Sequence, residues 1–197
     1  MPITYRRLDK STHADTVLYE KDQLRFASTR LLREQWEDPH DAWVYLESFL
    51  LHYRNLIEFL GRPNPRQDDV HITNVWKLAS KTPPANLKAI IAGGMKLWNE
   101  YEPRHGGDKI SKYLQHCTMK RIDFKEWHID VMAQKIEPLL VEVQNHLRPG
   151  MIVNAVQPPD TWTPHSASTT VLTITCAAAL MPDNYPVGLK RIKRDGQ

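Results

Sequence analysis

Residues 41–60, DAWVYLESFLLHYRNLIEFL, decide the fold class of this chain. Apolar residues recur there at intervals of three and four, which is the pattern of a helix with a wide buried face. The stripe consists of Ala42, Leu46, Phe49, Leu50, Tyr53, Leu56, Ile57 and Leu60. Val44, Leu51 and Phe59 lie on the far side. Because the helix is apolar over most of its circumference, we expect it to run through the middle of a helical bundle.

The residues around this segment predict where helices begin and end. A preceding helix over residues 16–37 is expected to end at Asp38-Pro39, since the residue before a proline is disfavoured in the helical region. Asp41 is the predicted N-cap of the second helix. Gly61 followed by Pro63 predicts its end.

Further helices are predicted along the chain as far as Leu147. The segments are 70–80, 85–101, a helix that begins at Asp108, and 123–147. The spacing of Asp123 and Glu126 matches a capping box, so we expect the last helix to open there. Pro138 lies within its apolar pattern and predicts a kink or break near Glu137.

The composition changes after Gly150. Residues 151–156 and 170–176 are short β-prone runs separated by prolines and small polar residues. We therefore expect a mainly α fold, a bundle of four or five helices over residues 1–150. Residues 151–197 are expected to form an extended segment, with a two-stranded β ribbon as one form of it, docked on the bundle or on a partner. The final basic stretch, 189–197, is expected to be mobile.

Length and charge exclude several classes of protein. The 197 residues, 25% charged and 41% apolar, suit an ordinary globular chain. The net charge of +3 equals the balance of residues 189–197 alone, so a generally basic, nucleic-acid-coating surface is not indicated. The N-terminus has no apolar stretch typical of a secretory signal, and the longest uncharged run, 161–182, is too polar to span a bilayer. A cytoplasmic protein with no membrane partner is the expectation.

Polar residues on the second helix are the first candidates for a site. Glu47, Arg54 and Glu58 fall within one narrow strip beside the apolar stripe, and Asn55 lies on the opposite flank. Polar groups on so apolar a helix need partners inside the protein or must face a cleft. One interpretation is a structural Arg–Glu pair that fixes helix register. The other makes Arg54 an anion-binding group whose guanidinium is oriented by Glu58.

The predicted helix after Asp108 carries a second polar group of residues. Lys109, Lys112, His116 and Lys120 share one side, away from the apolar residues. Such a face can hold a phosphate backbone and place a proton donor near it, but it is also typical of a solvated charged surface. No metal or cofactor is expected, since no histidine pair has metal-ligand spacing and no phosphate-binding glycine motif occurs.

Two segments carry a resemblance to known proteins. Residues 50–60, LLHYRNLIEFL, and 109–121, KISKYLQHCTMKR, resemble a group of uncharacterised bacterial helical proteins. More distantly, Arg54-Asn55 is similar to the start of the Arg-x(4–6)-His motif of HEPN domains. The resemblance implies a helical bundle that binds or cuts RNA and dimerises at the motif. The motif histidine would stand at 59, 60 or 61, where this chain has Phe, Leu and Gly.

Two functions of different classes follow from these patterns. The first is a HEPN-like protein that binds RNA or a nucleotide at a cleft near Arg54 and His116. If it is a ribonuclease, His116 (or next His52) is the acid–base group and Arg54 stabilises charge on phosphate. The alternative is a non-catalytic interaction module, homodimeric, with Arg54 in a structural ion pair.

Overall fold

The computed structural model describes residues 13–33, 38–103, 109–115, 125–148, 171–174 and 189–192. Within these ranges lie six helices and three short strands. The helices are α1 (His13–Leu32), α2 (Pro39–Gly61), α3 (Val75–Leu78), α4 (Leu87–Tyr101), α5 (Ile110–Gln115) and α6 (Ile129–Leu147). The strands are β1 (Lys125–Trp127), β2 (Val171–Ile174) and β3 (Leu189–Ile192). The described part of the chain is thus mainly α, as the sequence predicts.

The helix that decides the fold begins three residues earlier than the proposed Asp41 cap would place it. Asp38 is the N-cap, and its side chain accepts a hydrogen bond from the backbone N–H of His40. Pro39 stands in the first turn, where its preset φ and missing N–H are tolerated. The Asp38-Pro39 pair therefore opens α2 rather than closing α1, which ends earlier, at Leu32.

The four long helices α1, α2, α4 and α6 form a bundle in which neighbours run antiparallel. Between α1 and α2, Tyr19 lies against His52 and Phe26 against Tyr45. Between α2 and α4, Tyr53 packs edge-to-face on Tyr101 with ring centroids 5.2 Å apart. The α6 helix closes the ring by pairing with α4 and with α1. Every residue of the predicted α2 stripe is buried in this core.

Helices α2 and α4 approach closely where two glycines meet. A Cβ atom on Gly61 would stand 2.0 Å from the backbone carbon of Gly94, and one on Gly94 would stand 2.6 Å from that of Leu60. No side chain fits between these backbones. A Cβ atom on the neighbouring Gly93 would instead stand 3.0 Å from the side chain of Leu139 on α6.

The two adjacent glycines allow a matched test of this crossing. Gly94→Ala is expected to lower the free energy of unfolding by about 2–3 kcal/mol, because backbone must move to admit the methyl group. Gly93→Ala gains the same helix propensity but meets only a flexible side chain, so its effect should lie within about 1 kcal/mol of zero. Urea unfolding of both variants measures the difference. Equal losses would contradict the close approach at Gly94.

A buried lysine joins α1 to α6. Lys21 is 2% exposed, and its ammonium group donates to the side chain of Gln144 and lies 3.9 Å from Glu137. Arg25 pairs with the same Glu137. Burial, with the nearby charge of Arg25, lowers the pKa of Lys21 from 10.5 to about 8. The contact thus holds an amine that titrates well below its ordinary range.

This lysine makes stability depend on alkaline pH. Between pH 8 and 10.5 the unfolded chain binds more protons at Lys21 than the folded chain does, so the free energy of unfolding should rise with pH there. The rise from this group should be about 2–3 kcal/mol. Lys21→Met should remove it, whereas Lys96→Met, at an exposed lysine of α4, should not. Chemical denaturation at pH 7 to 10.5 provides the test, and parallel pH curves for all three proteins would refute it.

The predicted capping box is wrong at Glu126, which lies in a strand, while Asp123 lies outside the described residues. Residues 125–127 form β1, which pairs antiparallel with β2, and α6 begins only at Ile129. Pairing with a distant strand has overridden the local capping pattern. The helix then continues through Pro138, so the break does not occur, and the kink that was its predicted alternative stays a prediction.

The C-terminal strands complete a small antiparallel sheet in the order β1-β2-β3. β2 falls within the predicted run 170–176, whereas residues 151–156 lie outside the described residues. β3 belongs to the basic stretch expected to be mobile. It pairs with β2 so that Val171 lies opposite Ile192 and Ile174 lies opposite Leu189. None of the described helices is long and apolar enough to cross a membrane.

Candidate functional site

Arg54 lies in the space between α2, the end of α4 and the start of α5. Its guanidinium is 3.2 Å from Glu58 one turn further along α2. On its other side, Nε is 3.8 Å from a carboxylate oxygen of Glu102, the C-cap residue of α4. This Nε is buried and has no hydrogen bond in the structure. Arg54 is therefore held between two carboxylates.

Glu102 anchors this arrangement to α5. Its side chain is 6% exposed, and its two carboxylate oxygens accept hydrogen bonds of 2.6 Å from the backbone N–H and the hydroxyl of Ser111. These two donors satisfy the buried side chain, since buried polar groups need hydrogen-bond partners. Glu102 thereby ties the first turn of α5 to α4 and α2.

The ion pairs extend beyond Arg54 to the loop after α2. Glu58 also accepts a hydrogen bond from Arg62, and Arg62 lies 3.6 Å from Asp69. The side chain of Asp69 in turn accepts from the backbone N–H of Arg66. We call the set Glu102, Arg54, Glu58, Arg62 and Asp69 the Arg54 network. It contains three carboxylates and two guanidinium groups.

The loop beside this network contains a buried histidine. His71 Nδ1 lies 2.9 Å from the hydroxyl of Thr73, and its Nε2 is buried without a hydrogen bond in the structure. Burial lowers the pKa of His71. Among the described residues, no three His, Cys, Asp or Glu side chains are grouped so that they could hold a metal ion.

On the opposite flank of α2, two predicted polar residues meet a carboxylate of α1. His52 Nδ1 lies 2.8 Å from Glu20, and the Asn55 amide donates to the same oxygen at 3.0 Å. Asn55 therefore supports the α1–α2 contact, on the other side of the helix from Arg54. Glu47, the third member of the predicted strip, is exposed.

The lysine face predicted after Asp108 is described only in part. Lys112 is exposed on α5, and Lys109 is half-buried just before that helix. His116 and Lys120 lie outside the described residues. Their convergence with Arg54 therefore stays a prediction.

Sequence reasoning missed the carboxylates that partner the predicted residues. Glu20 and Glu102 come from α1 and α4, each more than 30 positions from its partner on α2, and no local spacing points to them. It also missed a segment without acidic residues. Residues 70–99 contain no Asp or Glu, and their four lysines, 77, 81, 88 and 96, are all exposed. None of the ion pairs among the described residues involves them.

Comparisons of the chain with protein-family models, with curated proteins and with solved structures gave no match.

The contribution of Glu102 to stability can be tested by removing its carboxylate. Glu102→Ala leaves Arg54 with Glu58 alone and removes the acceptor of the Ser111 N–H and hydroxyl, so we expect the free energy of unfolding to fall by about 3 kcal/mol. Glu100→Ala, two residues away, removes an exposed pair with Lys135 and a contact with the Tyr101 side chain, and should cost about 1 kcal/mol. Denaturant titration of both variants would show the contrast. Similar losses of unfolding free energy in the two variants would contradict a structural role for Glu102.

Proposed function

We propose that the protein is a non-catalytic protein-interaction module, homodimeric and cytoplasmic, in which Arg54 is part of a structural ion pair. The observation that carries this proposal is the position of Arg54 between Glu58 and Glu102. The guanidinium lies beside carboxylates of α2 and of the end of α4, and Glu102 continues the contact to α5 through Ser111.

The charge of the Arg54 network supports the same conclusion. Three carboxylates against two guanidinium groups leave one net negative charge. A phosphate that approached Arg54 would meet Glu58 and Glu102 at similar distance, and like charges at close range repel. Anion binding there would require a carboxylate to move away or to take up a proton.

RNA titration with Arg54 variants tests the proposal. Arg54→Ala should lower the free energy of unfolding by about 3 kcal/mol but leave any binding of labelled single-stranded RNA unchanged. Arg54→Lys, which keeps the charge but cannot contact both carboxylates in the same way, serves if the alanine variant does not fold. His116→Ala is measured alongside, on a gel that also reveals cleavage. Binding or cutting lost in both the position-54 and the His116 variants, with helical circular dichroism retained, would overturn the proposal.

A second candidate function is a HEPN-like protein that binds RNA or a nucleotide. The observation that favours it is the surface of residues 70–99, a segment with four exposed lysines, 77, 81, 88 and 96, and no Asp or Glu, because exposed lysines attract a phosphate backbone. This surface differs from the one predicted from Lys109, Lys112 and Lys120. Catalysis by Arg54 and His116 is part of this candidate and not of the first.

The two lysine surfaces can be separated in the same titration. The double variant Lys88→Gln with Lys96→Gln should weaken RNA binding and flatten its salt dependence if the α4 surface is used. Lys112→Gln, at an exposed lysine of α5, is the matched control. If neither change affects binding at low salt, or no binding is found, the interaction module is the better account.

A further inference from the structure

Large apolar side chains are exposed on the outer side of the α1–α2 pair. Tyr19 and Phe26 on α1, and Val44 and Leu51 on α2, are 43% to 63% exposed, and they are four of the seven exposed large apolar residues in the described part of the chain. Members of each pair are seven residues apart, so they lie on one side of their helix, two turns from each other. Such a group of exposed apolar residues is typical of an interaction surface.

Two exposed carboxylates border these apolar residues. Asp22 lies one turn from both apolar residues of α1, and Glu47 lies one turn from both apolar residues of α2. By helical spacing, each carboxylate lies farther from the neighbouring helix than the apolar residues beside it do. The surface is therefore apolar along its middle and negatively charged along both edges. We call the following residues the α1–α2 surface: Tyr19, Asp22, Phe26, Val44, Glu47 and Leu51.

The apolar and acidic residues form three levels along the bundle. Tyr19 contacts His52 and Phe26 contacts Tyr45, which fixes the antiparallel register of the two helices. A helix rises about 1.5 Å per residue, so the height of each residue above the start of α1 follows from this register. The levels are Tyr19 with Leu51 at about 9 Å, Asp22 with Glu47 at about 14 Å, and Phe26 with Val44 at about 20 Å.

The twelve residues before α1 carry a complementary order of side chains. They read MPITYRRLDKST and lie outside the described residues. Counted back from α1, the apolar Leu8 comes first, then the basic pair Arg7 and Arg6, then the apolar Tyr5 and Ile3. Three basic residues against one acidic residue give this segment a net charge of +2.

We propose that residues 1–12 fold back along α1 and bind the α1–α2 surface of the same chain. The inference goes beyond the proposed function and does not depend on the role of Arg54 or on a homodimer. Opposite charges at matching levels attract each other, whereas the carboxylates of two copies of this surface would repel one another. A basic segment with apolar residues on both sides of its charges is therefore the occupant that the surface fits.

The segment is long enough to reach all three levels. An extended chain advances about 3.3 Å per residue. With residues 10–12 reversing the chain at the start of α1, Leu8 comes to lie about 7 Å along the helix, Arg6 and Arg7 about 10–13 Å, and Ile3 about 23 Å. The corresponding levels of the surface are at about 9, 14 and 20 Å. Each group thus lies within about 4 Å of its complement, a difference that side chains can span.

The two arginines can contact both edges of the surface. Neighbouring residues of an extended chain point to opposite sides. Arg6 and Arg7 therefore reach toward opposite edges, one toward Asp22 and the other toward Glu47. Guanidinium–carboxylate contacts of this kind are charge-assisted, and the apolar levels above and below exclude part of the water that would weaken them.

Limited proteolysis of the full chain tests this contact, because trypsin cleaves after Arg7 and Lys10 when the segment leaves the surface. In the wild type both bonds should be cut at least about tenfold more slowly than in a free peptide of residues 1–16. Leu51→Lys removes an apolar contact and adds a repelling charge, so cleavage should become about fivefold or more faster. Met95→Lys makes the same change at an exposed residue of α4 and should leave the rate unchanged. Both substituted positions are exposed, so the helical circular dichroism should be retained.

A charge exchange tests the pairing itself. Arg6→Glu combined with Arg7→Glu should speed cleavage after Lys10, because like charges then meet at the acidic level. Adding Asp22→Lys and Glu47→Lys restores opposite charges and should slow the cleavage again by about threefold or more.

Three results would overturn the proposal. The first is cleavage of the wild type at the rate of the peptide. The second is an equal rate in the wild type and in Leu51→Lys. The third is protection that is lost when the wild type is diluted, since the segment would then be bound to a second copy and not to its own chain.

Discussion

The structure depends on covering helix α2, whose apolar residues surround most of its circumference. Burial of aliphatic and aromatic surface is the main favourable contribution to folding, and α2 supplies the largest continuous share of it here. Three elements pack on this helix: α1 on one side, α4 on another, and α5 near its polar flank. The order of the bundle follows, because α6 must then close the gap between α4 and α1.

The close contact of α2 with α4 requires glycine at two positions and restricts where α4 can lie. With Gly61 against Gly94, the end of α4 falls beside Arg54, and Glu102 enters the space next to its guanidinium. A wider crossing would separate these groups and leave a buried charge uncompensated. The glycine contact and the Arg54 network are thus two consequences of one helix-to-helix distance.

The sequence predicts what depends on local periodicity and misses what depends on distant partners. The α2 stripe repeats at helical spacing, so its helix and its buried residues follow from the sequence. The Arg54–Glu58 pair is also foreseeable, since residues four apart on a helix are neighbours. Glu102 and Glu20 carry no such signal, because only the packing of α4 and α1 brings them to α2. Asp123 and Glu126 show the opposite failure, where a good local capping pattern gives way to strand pairing between residues 125–127 and 171–174.

The sequence pattern of α2 and the packing in a single chain disagree in an informative way. The pattern predicts a helix in the middle of the bundle, yet Val44 and Leu51 on its far side are exposed. Arg54 does not cover these residues, because it turns toward Glu102 on one flank, while Asn55 and His52 turn toward Glu20 on the other. Glu47, the charged residue one turn from both Val44 and Leu51, is itself exposed. The apolar pattern therefore fixes that α2 is a helix with a wide buried face, whereas its polar contacts with Glu102 and Glu20 fix which side of it is covered within the chain.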